Sequence, residues 1–352
     1  MGLTLLGRPP AQAGGHFFVR VMTAEKTNKR LIESNFKPAW WLRHRHLQTI
    51  LPSMPWAWKH TPRLERRELE LPDGDVTAVD WVVEERELPR DAPTLVILHG
   101  LESSAESAYA RMLMHAAAAL DWRCCVLHFR DCGDYRNRLP RRYHAGETND
   151  IRHLLSTIID DSGPLVAAGY SLGGNVLLKY LGETGASSPL AAAVAVCVPL
   201  DLHLCAEALN RGFSKIYQRY LLKSMKESVR QKFSIHTAAF DWNRVMEATN
   251  FLEFDDAITA PLHGFAGVND YYGSCSSGQF LDRISVPTLV VNALDDPFMT
   301  PDVIPGPDRL SEHVQIEVSA HGGHVGFIEG GTPWRPKYYL PRRVTEFLSE
   351  QL

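Results

Sequence analysis

No stretch of this chain approaches the roughly 18 consecutive apolar residues that a membrane-spanning helix requires, and its N-terminus lacks the basic-then-apolar layout of a secretory signal. Cysteine is sparse. Six residues (Cys124, Cys125, Cys132, Cys197, Cys205, Cys275) are spread over 352 positions with no C-x-x-C spacing, and several lie inside apolar runs. That pattern speaks against a disulfide framework and for free thiols in a reducing compartment, so a cytoplasmic location is expected. An excess of one charge is also missing. The formal net charge of −4 gives no global electrostatic case for nucleic acid or an anionic membrane, although Arg136 to Arg142 form a local basic cluster. No internal repeat or low-complexity segment stands out, and a content of 45% hydrophobic and 22% charged residues excludes a disordered chain.

What is present is an ordered alternation. Arg67 to Leu71 and Val76 to Val83 flank Pro72-Asp73-Gly74, a turn signal, so a hairpin is expected to open the domain. Short apolar runs then alternate with helical patterns: strand-like Thr94–Leu98, helical Ser107–Leu120, strand-like Arg123–Phe129 and helical Gly146–Ile159. The strand-like runs continue with Leu165–Tyr170, Ala191–Val198, Pro287–Ala293 and Gln315–Val318. Strands alternating with helices imply parallel βαβ units with both sheet faces covered, an α/β fold with a mostly parallel central sheet. Four parts are expected: a loose leader over 1–35, core over 36–200, a largely helical cap inserted over 201–284, and core again over 285–352. Met22 is an alternative start within the leader.

The strongest motif is Gly169-Tyr170-Ser171-Leu172-Gly173, between an apolar strand and a helical apolar face. A serine hydroxyl is a weak nucleophile at neutral pH; G-x-S-x-G holds it exposed on a tight turn, with the following N–H available to an oxyanion. Such a serine needs an acid and a histidine later in the chain. Leu289 to Ala293 runs directly into Leu294-Asp295-Asp296-Pro297, placing a carboxylate beyond a strand's C-terminal end, where ligand-facing groups sit in open α/β sheets. Asp295 is the expected acid, whereas Asp296, against Pro297, is expected to shape the turn. The base is expected to be His324 in His321-Gly322-Gly323-His324, with His321 its rival. His144 and His263 are the next histidines to consider. The oxyanion hole is expected to combine the N–H of Leu172 with that of Leu101, after His99-Gly100. Two histidines without a third ligand make a metal site weak, and no cofactor is expected. Tyr217, Tyr220, Leu221, Leu222 and Met225 either line an acyl pocket or, as helical spacing more often means, fill the core of the cap.

Longer strings carry a family resemblance: Arg45-His46-Leu47-Gln48-Thr49, His128-Phe129-Arg130-Asp131-Cys132, Tyr143-His144-Ala145-Gly146-Glu147-Thr148, Gly212-Phe213-Ser214-Lys215-Ile216-Tyr217, and Ala293 to Met299. With the elbow and the H-G-G-H loop, the chain resembles the α/β-hydrolase superfamily, and within it the YheT-type esterases, bacterial relatives of mammalian α/β-hydrolase-domain lipid hydrolases. The resemblance implies an α/β-hydrolase fold and ester hydrolysis, with the triad on Ser171, Asp295 and His324. Asp131 stands where a glycine is expected in the family's F-R-G-C string. The mammalian relatives carry an N-terminal anchor that is not seen here. The expected partner is a small-molecule acyl ester, with at most peripheral contact to lipid and none to nucleic acid. Acyl transfer on the same triad, a non-catalytic binding protein of this fold and a metallohydrolase are the competing readings.

Overall fold

Short apolar runs whose side chains are buried on both faces form the centre of the sheet, because only helices packed on each side can cover them. In the computed structural model, which describes residues 30–54, 62–84, 86–159 and 163–352, these are β4 (Thr94–Leu98), β5 (Arg123–Leu127), β6 (Leu165–Tyr170), β7 (Leu190–Val196), β8 (Thr288–Ala293) and β9 (Val314–Ser319). All six run parallel. The hairpin of β2 (Leu64–Glu70) and β3 (Val76–Val82) adds antiparallel strands at one edge and β1 (Leu31–Glu33) lies at the other, giving the order β1-β9-β8-β7-β6-β4-β5-β3-β2.

The opposite edge corrects the expected leader over 1–35. Residues Leu31–Glu33 are β1, paired in parallel with β9, and Leu31 is buried. Three residues carry no readable period, and their place depends on a partner nearly three hundred positions away. The rest of that leader, with Met22, lies outside the described residues. The sequence expectation also lacks a second small sheet, β10 (Ile328–Thr332) with β11 (Arg335–Tyr338), since neither the glycine-containing β10 nor the polar β11 has an apolar run.

Helices cover both faces. After the short α1 (Arg45–Ile50), α2 (Ala108–Ala118) packs on one face against the C-terminal helix Tyr339–Ser349 through Leu113, Met114, Val344 and Leu348. The other holds α3 (Asn149–Ile158) and α4 (Leu172–Thr184), with Ile151, Leu155, Val176 and Leu177 buried. Between β7 and β8 the chain is helical, with α5 (Leu202–Leu209), α6 (Ser214–Lys232), a π-helical turn at Asp255–Thr259 and α7 (Val268–Cys275). Asp201 caps α5 by accepting from the Leu204 N–H at 3.0 Å. Asn175, wholly buried on α4, ties this region to the core: its amide donates to the carbonyls of Ala145 and Cys275, each at 2.8 Å, and accepts from Ser277 N–H at 2.9 Å. Three satisfied bonds to a buried amide contribute about 1 kcal/mol each, and losing them would strand polar groups.

Asp131, where the family resemblance expects glycine, has φ of 69°. The position therefore requires the left-handed backbone that glycine adopts freely and aspartate tolerates better than most residues. Its buried carboxylate accepts from Arg142 Nε at 2.9 Å.

Candidate active site

The elbow forms because β6 must turn directly into α4 at Ser171. The serine takes φ 51°, ψ −117°, a strained conformation for a residue with a Cβ. Glycines on either side make the close approach feasible. A Cβ on Gly169 would sit 2.5 Å from the Gly173 carbonyl oxygen, and one on Gly173 would lie 2.6 Å from the Leu98 carbonyl carbon. Both are closer than real Cβ atoms come to backbone, so helix, β6 and β4 pack together only without side chains there.

His324 reaches the serine. Its Nε2 lies 3.0 Å from Ser171 Oγ and its Nδ1 lies 2.8 Å from Asp296 Oδ2. With the proton on Nδ1, the imidazole donates to the carboxylate and accepts from the hydroxyl. The carboxylate that meets His324 is thus Asp296, whereas Asp295, the one expected from the sequence, lies elsewhere. The physical reason is a turn: Asp296 N–H donates to the Ala293 carbonyl at 3.3 Å, which swings the second acid back over the sheet end. Asp296 Oδ1 meanwhile accepts from Phe298 N–H at 2.8 Å, so both its oxygens are used. Asp295 faces the H-G-G-H loop instead. It accepts from Gly323 N–H at 2.9 Å and sits 3.4 Å from the Nδ1 of His321, and burial raises its pKa above the ordinary carboxylate value. His321, the rival base, is half exposed and makes no contact with the serine.

Three more contacts hold His324 and its neighbour. Phe298 lies flat on the His324 ring, centroids 4.0 Å apart and planes 3° apart. His324 N–H donates to Thr49 Oγ1 at 2.9 Å. The Val325 N–H donates to the Sγ of Cys197 at 3.2 Å, a thiol whose pKa burial pushes well above its ordinary value. Cys197, Asp296 and His324 could together offer three ligand atoms to a metal ion. The fit is poor, because the thiol is fully buried and Asp296 and His324 are already bonded to each other.

The loop after β4 passes beside the serine: a Cβ on Gly100 would lie 3.6 Å from Ser171 Cβ. Its backbone is fixed from several sides. Gly100 N–H donates to Tyr109 Oη at 2.8 Å, His99 Nδ1–H donates to the Gly100 carbonyl at 2.8 Å, and Glu102 N–H donates to Tyr143 Oη at 3.1 Å. His99 Nε2 in turn accepts from Phe129 N–H at 3.1 Å, and burial lowers its pKa to about 3, so this imidazole stays neutral. Pinning the Gly100 carbonyl orients the shared peptide plane, and with it the Leu101 N–H. Leu172 is the first residue of α4, so its N–H has no carbonyl a helical turn back and lies at the positive end of the helix dipole. Among the described residues, neither amide has an acceptor in the protein.

A cavity of about 840 Å³ opens over Ser171. Its walls are mostly apolar, with Leu209, Leu221, Met225, Phe251 and Ile258 from the helical region above the sheet. Of the five residues with two sequence readings, Tyr217, Tyr220, Leu221 and Met225 line this cavity, while Leu222 is buried in the hydrophobic core. His144 and His263 also line it, rings 4.5 Å apart, with pKa values lowered by burial to about 3 and about 2. Neither contacts the serine.

One structural residue escaped sequence reasoning. Glu102, with φ 50° and a carboxylate only 6% exposed, accepts from Arg142 Nη2 at 3.0 Å, Tyr143 Oη at 2.8 Å, and the hydroxyls of Ser224 and Ser228 on α6 at 3.3 and 2.7 Å. Its place directly after Leu101 was the only available signal.

Residues 93–331 match the family described as alpha/beta hydrolase fold. The chain is 40% identical over 339 residues to the Escherichia coli protein called "Putative esterase YheT", covering 94% of this chain and 98% of that one. It is 29% identical over 350 residues to the mouse "Phospholipase ABHD3", covering 97% of this chain and 84% of the relative. Among solved structures, the Pyrococcus furiosus esterase Pf2001 aligns with a TM-score of 0.55 at 16% identity, over 82% of this chain and 91% of that one, a likeness of fold alone.

Proposed function

Since this chain belongs to the α/β-hydrolase family, we propose that it hydrolyses carboxylic esters through Ser171, His324 and Asp296. The observation that carries the reading is the continuous bonded chain from Asp296 Oδ2 through His324 to Ser171 Oγ, at 2.8 and 3.0 Å. His324 takes the hydroxyl proton as Ser171 Oγ attacks the ester carbonyl, and Asp296 holds the imidazole in the required tautomer and stabilises the imidazolium. The Leu101 and Leu172 amides face the developing oxyanion. His324 then hands the proton to the leaving alcohol. In the second half, water loses a proton to His324 while attacking the acyl-enzyme, and the carboxylic acid leaves as Ser171 is restored. The apolar walls of the cavity suit an acyl chain.

The test is direct. Wild-type protein should turn over p-nitrophenyl and acylglycerol esters and be labelled at Ser171 by a fluorophosphonate, whereas Ser171→Ala should lose both. Full turnover by Ser171→Ala would end this reading.

A further inference from the structure

Among the described wall residues of the cavity, Ser53, Ile216 and Tyr220 are the exposed ones, and they place an opening between two segments, 45–54 and the start of α6. The segments meet there: His46 Nδ1 lies 3.0 Å from Tyr217 Oη, and the His46 and Phe213 rings are 4.4 Å apart.

Two properties of this rim stand out. It is apolar yet uncovered, with Leu47, Phe213, Ile216 and Tyr220 exposed by 47%, 48%, 51% and 73%. It is also cationic. Neither segment 34–54 nor segment 208–226 contains an aspartate or glutamate, in a protein whose net charge is −4. Arg43, Arg45, Lys215, Arg219 and Lys223 are all exposed, and none forms an ion pair among the described residues. Ile216, Arg219, Tyr220 and Lys223 recur at i, i+3, i+4 and i+7, which sets apolar and cationic side chains on one face of α6.

We propose that this rim docks on an anionic lipid bilayer, seating the cavity mouth on the surface that holds its substrate. Exposed apolar residues interleaved with unpaired cations around an opening suit an interface of acyl chains beneath anionic headgroups. A nucleic acid would engage the cations but give Leu47 and Ile216 nothing to bury. The source of the substrate in this proposal rests on the ester-hydrolase reading; the docking does not.

The experiment is co-sedimentation of the full Ser171→Ala chain with vesicles of phosphatidylcholine, with and without phosphatidylglycerol. Partitioning is expected to be about tenfold or more tighter on the anionic vesicles and to weaken with added salt. Lys215→Glu/Arg219→Glu/Lys223→Glu should remove that preference, and in the wild-type background it should leave turnover of a soluble short-chain ester unchanged. Leu47→Ser/Phe213→Ser should weaken binding to both vesicles, with unfolding temperature checking that each variant is folded. Equal partitioning into the two vesicles, undiminished binding by the charge-reversed variant, or binding to duplex DNA without binding to vesicles would overturn the proposal. Loss of the esterase reading would show separately, as hydrolysis by Ser171→Ala with vesicle binding intact.

Discussion

The ring of Phe298 lies parallel to the imidazole of His324, 4.0 Å away, and the backbone N–H of Phe298 donates to the same Asp296 that holds the other side of that imidazole. One residue thus steadies both the carboxylate and the imidazole. An aromatic face also stabilises the imidazolium formed during turnover, a contribution of about 0.5–2 kcal/mol. Phe298→Leu is therefore expected to lower kcat by roughly three- to thirtyfold, with Phe298→Tyr retaining most activity. Steady-state kinetics on a soluble ester check this; equal kcat in Phe298→Leu and wild type would refute it.

Adjacent acids should behave very differently. Asp296→Asn removes the carboxylate that sets the imidazole tautomer, and kcat is expected to fall by about 10⁴. Asp295→Asn keeps an oxygen that accepts from the Gly323 N–H and loses the carboxylate charge facing His321, which should cost about tenfold or less by modest misplacement of the base. Parallel kinetics on the two variants decide between them, and the reverse order would return the role to Asp295.

This pair marks where sequence stops being enough. Ser171 and His324 were legible because local features announce them: an apolar run pinched by Gly169 and Gly173 for one, paired glycines after the last central strand for the other. Choosing between neighbouring acids was not, because their directions depend on a turn closed by Asp296 N–H on the Ala293 carbonyl and on a loop nearly thirty residues away. The parallel strands likewise announce themselves through runs too apolar for any other position. The edge strand Leu31–Glu33 does not, since its only support is long-range pairing. Asp131 reads as an oddity until its φ of 69° is known.

Asp255 supplies a pH dependence. Burial raises its pKa from 3.8 to about 6, against the opposing bonds from Thr259 Oγ1 and Tyr272 Oη, each at 2.6 Å. The folded state therefore holds this proton more tightly than the unfolded state. The resulting stability is fully present below about pH 4 and is lost as pH rises through about 6, for a total near 3 kcal/mol. Asp255→Asn should flatten the stability profile across that window, measured by denaturant unfolding at several pH values. An unchanged slope would show that another group sets it.

Glu102 couples the oxyanion loop to the helix that walls the cavity. Its N–H is held by Tyr143, and its carboxylate gathers Arg142, Tyr143, Ser224 and Ser228. Removing it withdraws one of two buried carboxylates from Arg142, which keeps Asp131, a loss of about 1.5–3 kcal/mol for a hydrogen bond to a charged group. It also strips the Tyr143 hydroxyl of its acceptor and so loosens its hold on the Glu102 N–H, one peptide beyond the Leu101 N–H. Glu102→Ala should therefore lower the unfolding temperature, reduce kcat by about 10²-fold through the misplaced donor, and raise amide exchange over Ser214–Lys232. Glu102→Gln, which keeps the acceptor for the two serines, should recover part of the exchange protection and less of the stability. If Glu102 merely filled space, Glu102→Gln and wild type would agree in kcat, and Glu102→Ala would lose stability without the larger loss in kcat.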